Sequence, residues 1–436
     1  MTEVAEGRVA SAILGSGFLK HCVNLGAEVT LLTPAASYRP FIDRYETPGV
    51  TFERIAFDTT VRGSGRLVAW ERRIGRRLIR AGMPRTRRQL WEHVGARLAA
   101  LDVGPSLRLL DESPPDAFVA TDVNMGFGRG LVGACQRRGI PTIGNIFSWD
   151  HPFYEHPSRP DTVTCWSPFT RSLLISRSGF FPGQAEVTGA PAFDPYVAPE
   201  NLWSREELCQ RLGLDSRRPI LVFATLGQFK KYIDETDAFK AALEEIDAGR
   251  IPENPQVVLR LHPESKEVYW EAYRRRQDVV LSRYLAYCPG MRWWPTQEEV
   301  ILAGNLLRHA DVCLSPGSTM AIEPAIFDTP TIVPIFNRYM PEEYERFFDA
   351  FWMSRHFAFL KEHNLVPFVR SAGEMTAAIR RALADRGWMS AERAVIRNEV
   401  LGPLDGRAAE RLARVAVRTA KRTTGAAGGA VSEEGR

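Results

Sequence analysis

Long apolar runs are missing from this 436-residue chain. The longest, such as residues 117–121 and 219–225, fall far short of the roughly 18 residues that cross a bilayer, so no transmembrane helix is expected. A basic start followed by an apolar stretch is also missing. Glu3 and Glu6 stand in the opening segment instead, and a secretory signal is not expected. Cysteine is scarce and scattered: Cys22, Cys135, Cys165, Cys209, Cys288 and Cys313 form no C-x-x-C pair and have little histidine near them. That excludes a disulfide framework and points to buried thiols in a reduced, cytoplasmic protein.

What is present is ordinary for a globular chain: 44% hydrophobic, 25% charged and 10% aromatic residues, with a net charge of +4. These fractions exclude a disordered or fibrous chain, and the length suggests roughly two or three domains. Short β-branched runs alternate with helical stretches, which predicts parallel α/β construction. Residues 27–33 (AEVTLLT) read as a strand entered from a helix over 17–25. Residues 117–121 and 141–147 read as two further strands around a helix over 130–138. A proline-rich, polar break follows Asp194, and the alternation restarts with strands at 220–224, 256–261, 312–314 and 331–334, the last two separated by a helix over 320–327. The expected fold class is therefore α/β, with two Rossmann-like domains facing a ligand-binding cleft. The boundaries are 1–196, a linker over 197–217, 218–400, a C-terminal helix over 401–418 and a disordered tail over 419–436. The opening MTEVAEGRV is too polar for a buried central strand, so the first strand is either short and degraded or precedes the given start, and the polarity favours the second reading.

The densest chemical signal is SPGSTMAIEPAIFDTPTIVPIFN, over residues 315–337. Small hydroxylated residues and glycine between a strand and a helix start place Ser315, Gly317, Ser318 and Thr319 where an anion binds at a helix N-terminus. An ordinary N-cap reads the same residues without a ligand. Glu323, isolated in an apolar surround, needs a partner, and the hydroxyl pair of a ribose suits it. In VVLRLHPES, Arg260 and His262 share one face of a strand and could both bond phosphate oxygens; a loop-capping histidine is the plainer alternative. Trp293 and Trp294 could hold a nucleobase, or one of them could belong to the core. Gly227, Lys230 and Lys231 open the second domain and could balance diphosphate charge, or be solvated. In the first domain FSWDHPFYEHP places Asp150 and His151 at a strand end as candidate general bases, against the alternative of a rigid proline turn; Asp122, Glu155, His156 and His21 are weaker candidates.

With WDHP, VTGAPAFDPY, RLHPES and ADVCLSPGSTMAIEPAIFDTPTIV in hand, the sequence resembles the GT-B glycosyltransferases, in the group that includes UDP-N-acetylglucosamine 2-epimerase and the CDP-glycerol glycerophosphotransferases. The resemblance covers about residues 10–400. It implies that Ser315, Gly317, Ser318 and Thr319 bind the donor's phosphates, Glu323 its ribose, and His262 a donor phosphate. Pro316 stands where the epimerases carry an acidic residue, which speaks against epimerase chemistry. No Asp-x-Asp motif is present, in keeping with metal-independent GT-B enzymes. The expected activity is sugar transfer from a nucleotide-sugar co-substrate, with no further cofactor, to a glycan, lipid-linked or small-molecule hydroxyl in surface polysaccharide or glycoconjugate synthesis. Asp150, His151 and His262 are its expected catalytic residues. CDP-polyol phosphate or CMP-sugar transfer on the same fold, and a non-catalytic nucleotide-binding protein, stay open as alternatives.

Charge is concentrated in one place. From Arg62 to Arg88 there are ten arginines against Glu71, a formal +9, so that the other 409 residues carry −5. Apolar Leu67, Trp70, Ile74, Leu78 and Ile79 recur near helical spacing. This reads as a basic amphipathic helix, fitting an anionic membrane surface on the inner face or an acidic acceptor, or else packing on the first domain. No nucleic-acid motif accompanies it, and nucleic acid is not an expected partner.

Overall fold

The computed structural model describes residues 1–55, 104–123, 126–153, 159–226, 234–263, 265, 267–349 and 356–430. They fall into two compact units. The first takes Met1–Asp194, Ala286–Trp294 and Arg407–Arg436; the second takes Pro195–Leu285 and Pro295–Gly406.

The first unit is built on a seven-stranded sheet in the order β3-β2-β1-β4-β5-β6-β7. Its strands are β1 (Thr2–Glu3), β2 (Val29–Thr33), β3 (Val50–Arg54), β4 (Phe118–Ala120), β5 (Thr142–Asn145), β6 (Thr162–Cys165) and β7 (Ala185–Val187), all paired in parallel. The expectation of an absent first strand is corrected: β1 is the central strand, two residues long, with Thr2 opposite both Leu31 and Val119. Both its residues are 3% exposed. A glutamate survives there because it stays protonated. Burial, reinforced by the charges of Asp122 and Glu6, pushes the Glu3 carboxyl up to about 8.

The second unit holds a six-stranded parallel sheet in the order β10-β9-β8-β13-β14-β15. These are β8 (Ile220–Ala224), β9 (Gln256–Arg260), β10 (Val279–Ser282), β13 (Val312–Leu314), β14 (Thr331–Pro334) and β15 (Phe368–Val369). The unbroken apolar run of β8 suits a strand covered on both faces, and all five of its residues are buried. Residues 197–217, expected as a linker, contain the helix Arg205–Leu212, capped by Ser204 and closed by Gly213 at φ 69°. Arg205 ties it to the sheet by donating to the Ser216, Arg218 and His309 carbonyls and to Asp311. It is a working part of the second unit.

Two later segments join the first unit, which local periodicity does not reveal. The hairpin of β11 (Tyr287–Cys288) and β12 (Arg292–Trp293) brings Cys288, Met291 and Trp294 into the first unit's core. It lies so close to the opening segment that position 7 must be glycine: a Cβ there would come within 2.4 Å of the Trp293 carbonyl oxygen. The last helix, Ala408–Ala430, begins on the Asp194 carboxylate, whose two oxygens accept from the Ala408 and Ala409 N–H groups at 3.0 and 2.8 Å. Its Ala409, Leu412 and Ala413 are fully buried in that core. Among the described residues no helix is long and apolar enough to cross a membrane.

Candidate functional site

In each sheet the strand order reverses once, between β8 and β13 in the second unit and between β1 and β4 in the first. The crevice beyond the carboxyl ends of such strands is where parallel sheets take ligands.

In the second unit Arg260 ends β9 opposite Ser282 of β10. Its Nη1 donates to Ser282 Oγ at 2.9 Å, and its guanidinium carbon lies 4.1 Å from the centre of the Tyr284 ring. Nη2 is buried with no hydrogen-bond partner among the described residues, and the residue is 7% exposed. Arg260 is thus held from within by Ser282 and Tyr284 and keeps one terminal nitrogen without a partner among the described residues. Tyr284 bonds to the buried Tyr196, and Glu323 lies within electrostatic reach of both Arg260 and Tyr196. Burial pushes the Glu323 carboxyl up to about 7, against the downward pull of the Arg260 charge. The Tyr196 phenol is raised well above its ordinary range by burial, with Tyr284 and Glu323 adding to the rise and Arg260 opposing it.

The loop after β13 lies at the reversal point. Ser315 Oγ is 3.1 Å from Ser318 Oγ, and Ser318 Oγ accepts from the Met320 N–H at 3.2 Å. Gly317, at φ 125°, supplies a backbone conformation that other residues rarely adopt. The helix expected over 320–327 is instead two short 3-10 segments, Thr319–Ala321 and Glu323–Phe327. Pro324 cannot donate its missing N–H, and the chain turns again at Asp328. Such short pieces sum little dipole, and the polar groups the loop keeps partly open are those of half-buried Ser318 and Thr319. His262, half-buried after β9, donates its N–H to Thr225 Oγ1 at 2.8 Å, and Thr225 Oγ1 lies 2.7 Å from Ser265 Oγ. This hydroxyl clasp ties the end of β8 to the His-Pro turn.

In the first unit the structure joins His151 to Asp122, at 3.4 Å between Nδ1 and Oδ1. Their side chains are 12% and 4% exposed. Burial alone would lower the imidazole's proton affinity; the charge and hydrogen bond of Asp122 and the charge of Asp150 more than offset it, and the net direction is upward. Asp150 accepts from Ser148 Oγ at 2.5 Å. Glu3, at the end of β1, completes an acidic cluster with Asp122 and Glu6. Asp122 and His151 thus form a buried carboxylate–imidazole pair, with Asp150 near enough for its charge to act on the ring.

Trp294 does not belong to a nucleotide platform. It is 7% exposed, its Nε1 donates to Tyr45 Oη at 3.0 Å, and Phe41 and Arg44 cover its ring in the first unit's core. His21 lies in the helix Phe18–Asn24, where its charge acts on Glu410. Gly227, Lys230, Lys231, Glu155, His156 and the 62–88 stretch lie outside the described residues. Sequence reasoning missed Glu3, Thr225, Ser282, Tyr284 and Tyr196. For Ser282 and Tyr284 a signal existed, since Ser282 ends the next parallel strand level with Arg260 and Tyr284 follows it by two residues. Among the described residues no group of three His, Cys, Asp or Glu side chains is placed to hold a metal ion.

Two Rossmann-like α/β units of this kind define the GT-B fold. Solved structures share it: an S. aureus MnaA–UDP co-structure, with a TM-score of 0.57 and 13% identity over 94% of each chain; a UDP-GlcNAc 2-epimerase from Neisseria meningitidis bound to UDP-GlcNAc, with a TM-score of 0.54 and 11% identity over 96% of this chain and 98% of that one; and the Methanocaldococcus jannaschii UDP-GlcNAc 2-epimerase, with a TM-score of 0.54 and 12% identity over 95% and 99%. No family model and no curated protein matches the chain.

Proposed function

We propose that the chain is a metal-independent glycosyltransferase whose second unit binds a nucleotide sugar and which transfers the sugar to an acceptor hydroxyl. The observation that carries this reading is the buried Arg260 charge, with Glu323 beside it, behind the hydroxylated loop Ser315–Thr319 at the sheet's reversal point. A buried cation held by neutral groups favours an anion nearby. Glu323, close to neutral, can accept from or donate to ribose hydroxyls. Two of the structural neighbours were solved with UDP or UDP-GlcNAc, which supports a nucleotide-sugar ligand.

In the reaction, the bond from the acceptor oxygen to the anomeric carbon forms as the bond from that carbon to the diphosphate breaks. The hydroxyl proton passes to His151, whose Nδ1 is oriented by Asp122. The nucleotide diphosphate departs with the bonding electron pair, and Arg260 and the loop hydroxyls stabilise the added charge. Calorimetric titration with UDP, GDP, CDP and CMP identifies the nucleotide. Glu323→Ala and His262→Ala are each expected to weaken the best binder by about tenfold, and unchanged affinity in both overturns the site. Transfer of radiolabelled sugar from the matching donor tests the activity. Nucleotide binding with no transfer or donor hydrolysis would favour the non-catalytic reading, and CDP or CMP as best binder would favour the phosphotransfer or CMP-sugar reading.

A further inference from the structure

A second cationic group lies at the first unit's reversal point, and the reaction above gives it no part. Arg8, just after β1, donates through Nε to Glu6 Oε2 at 2.9 Å, and its two terminal nitrogens make no hydrogen bond among the described residues. Its guanidinium lies over the rings of Phe147 and Trp293, 5.1 and 5.7 Å from their centres. The side chain is still 35% exposed. The backbone is fixed as well, because the Gly7 N–H donates to the Met291 carbonyl at 3.0 Å and the β11–β12 hairpin crowds position 7. An arginine clamped by two rings and one carboxylate has already lost the rotamer freedom that anion binding otherwise costs, and its unpaired edge is a rigid fork.

The charges around it permit an anion. Glu3 stays protonated at neutral pH, Glu6 is engaged by Arg8 Nε, and Asp122 faces His151. Arg8 is also close enough to His151 for its charge to act on the imidazole. We infer that Arg8 binds an anionic group, phosphate or carboxylate, on the same substrate whose hydroxyl gives its proton to His151, so that the acceptor is an anionic hydroxyl compound. The word acceptor rests on the glycosyltransfer reading; the anion site rests on the geometry of Arg8.

The test reads His151 itself. Full-length protein carrying 13Cε1-labelled histidine, with His151 assigned through His151→Asn, is titrated with inorganic phosphate, glycerol 3-phosphate and UDP, in wild type and in Arg8→Met. Phosphate and glycerol 3-phosphate are expected to shift the His151 resonance and raise its titration midpoint, because a bound anion favours the imidazolium facing Asp122, Asp150 and Arg8. Arg8→Met is expected to weaken that response by about tenfold or more while leaving UDP affinity at the second unit unchanged. A His151 signal that ignores both phosphates in wild type, or answers them equally in Arg8→Met, overturns the site. A response to UDP alone overturns the assignment to the acceptor, since the anion would then be the donor's diphosphate. Absence of all nucleotide binding with the phosphate response intact would count against the donor reading and leave the Arg8 site standing.

Discussion

At the scale of single residues, Glu3 shows how one side chain sets a pH dependence. Its folded carboxyl titrates at about 8 and its ordinary value is 4.5, so between those limits the folded chain holds a proton that the unfolded chain has released. Stability therefore stands at its full value below the unfolded value and falls as pH rises toward 8. Glu3→Gln should flatten this slope. Urea unfolding of both proteins at about pH 5 and about pH 8 checks it, and an equal slope in the variant would remove Glu3 as the cause. The same residue was hidden in the sequence: a charged letter at the edge of a two-residue strand gives no periodic signal, and only the neighbours Val29–Thr33 and Phe118–Ala120 make that strand central. Arg260, His262 and Glu323 were legible because a polar residue in an apolar run needs a reason. How Arg260 is held was not legible, because its partners Ser282 and Tyr284 come from the end of the next strand and the turn after it.

At the scale of elements, parallel strands were readable from their unbroken apolar runs, and β8 and β9 fall where those runs do. Residues 320–327 have a helix's composition, but Pro324 and the turn at Asp328 reduce it to 3-10 segments. Trp294 misled for another reason: it sits in sequence among second-unit strands while its hairpin packs in the first unit. Contact across hundreds of residues also fixes the last helix, whose first two N–H groups meet the Asp194 carboxylate. Asp194→Ala should lower stability by about 1–2 kcal/mol, with Asp194→Asn losing less because it keeps one acceptor oxygen. Guanidinium chloride unfolding measures both, and no loss in the alanine variant would show that the cap is idle.

At the scale of the whole molecule, the six thiols report on the two units separately. Cys22, Cys135, Cys165 and Cys288 belong to the first and Cys209 and Cys313 to the second, and all are buried and free. Burial pushes Cys22, Cys135 and Cys165 up to about 12 and Cys288 up to about 11, so the native chain should react slowly with thiol reagents. Deleting residues 407–436 removes Leu412 and its buried neighbours from the core that also contains Cys22. Cys22 and Cys288, which share that core, should then react quickly while Cys209 and Cys313 stay protected, which mass spectrometry after brief alkylation can resolve. Equal protection of all six would show that the helix adds nothing to the first unit. The dependence of residues 1–194 on a helix that starts at Ala408 also has a consequence during synthesis. At about 5–20 residues per second, some tens of seconds separate the emergence of the sheet from that of the helix that completes its core. For that interval the ribosome carries a nascent chain whose first-unit core lacks the apolar cover that Ala409, Leu412 and Ala413 later supply.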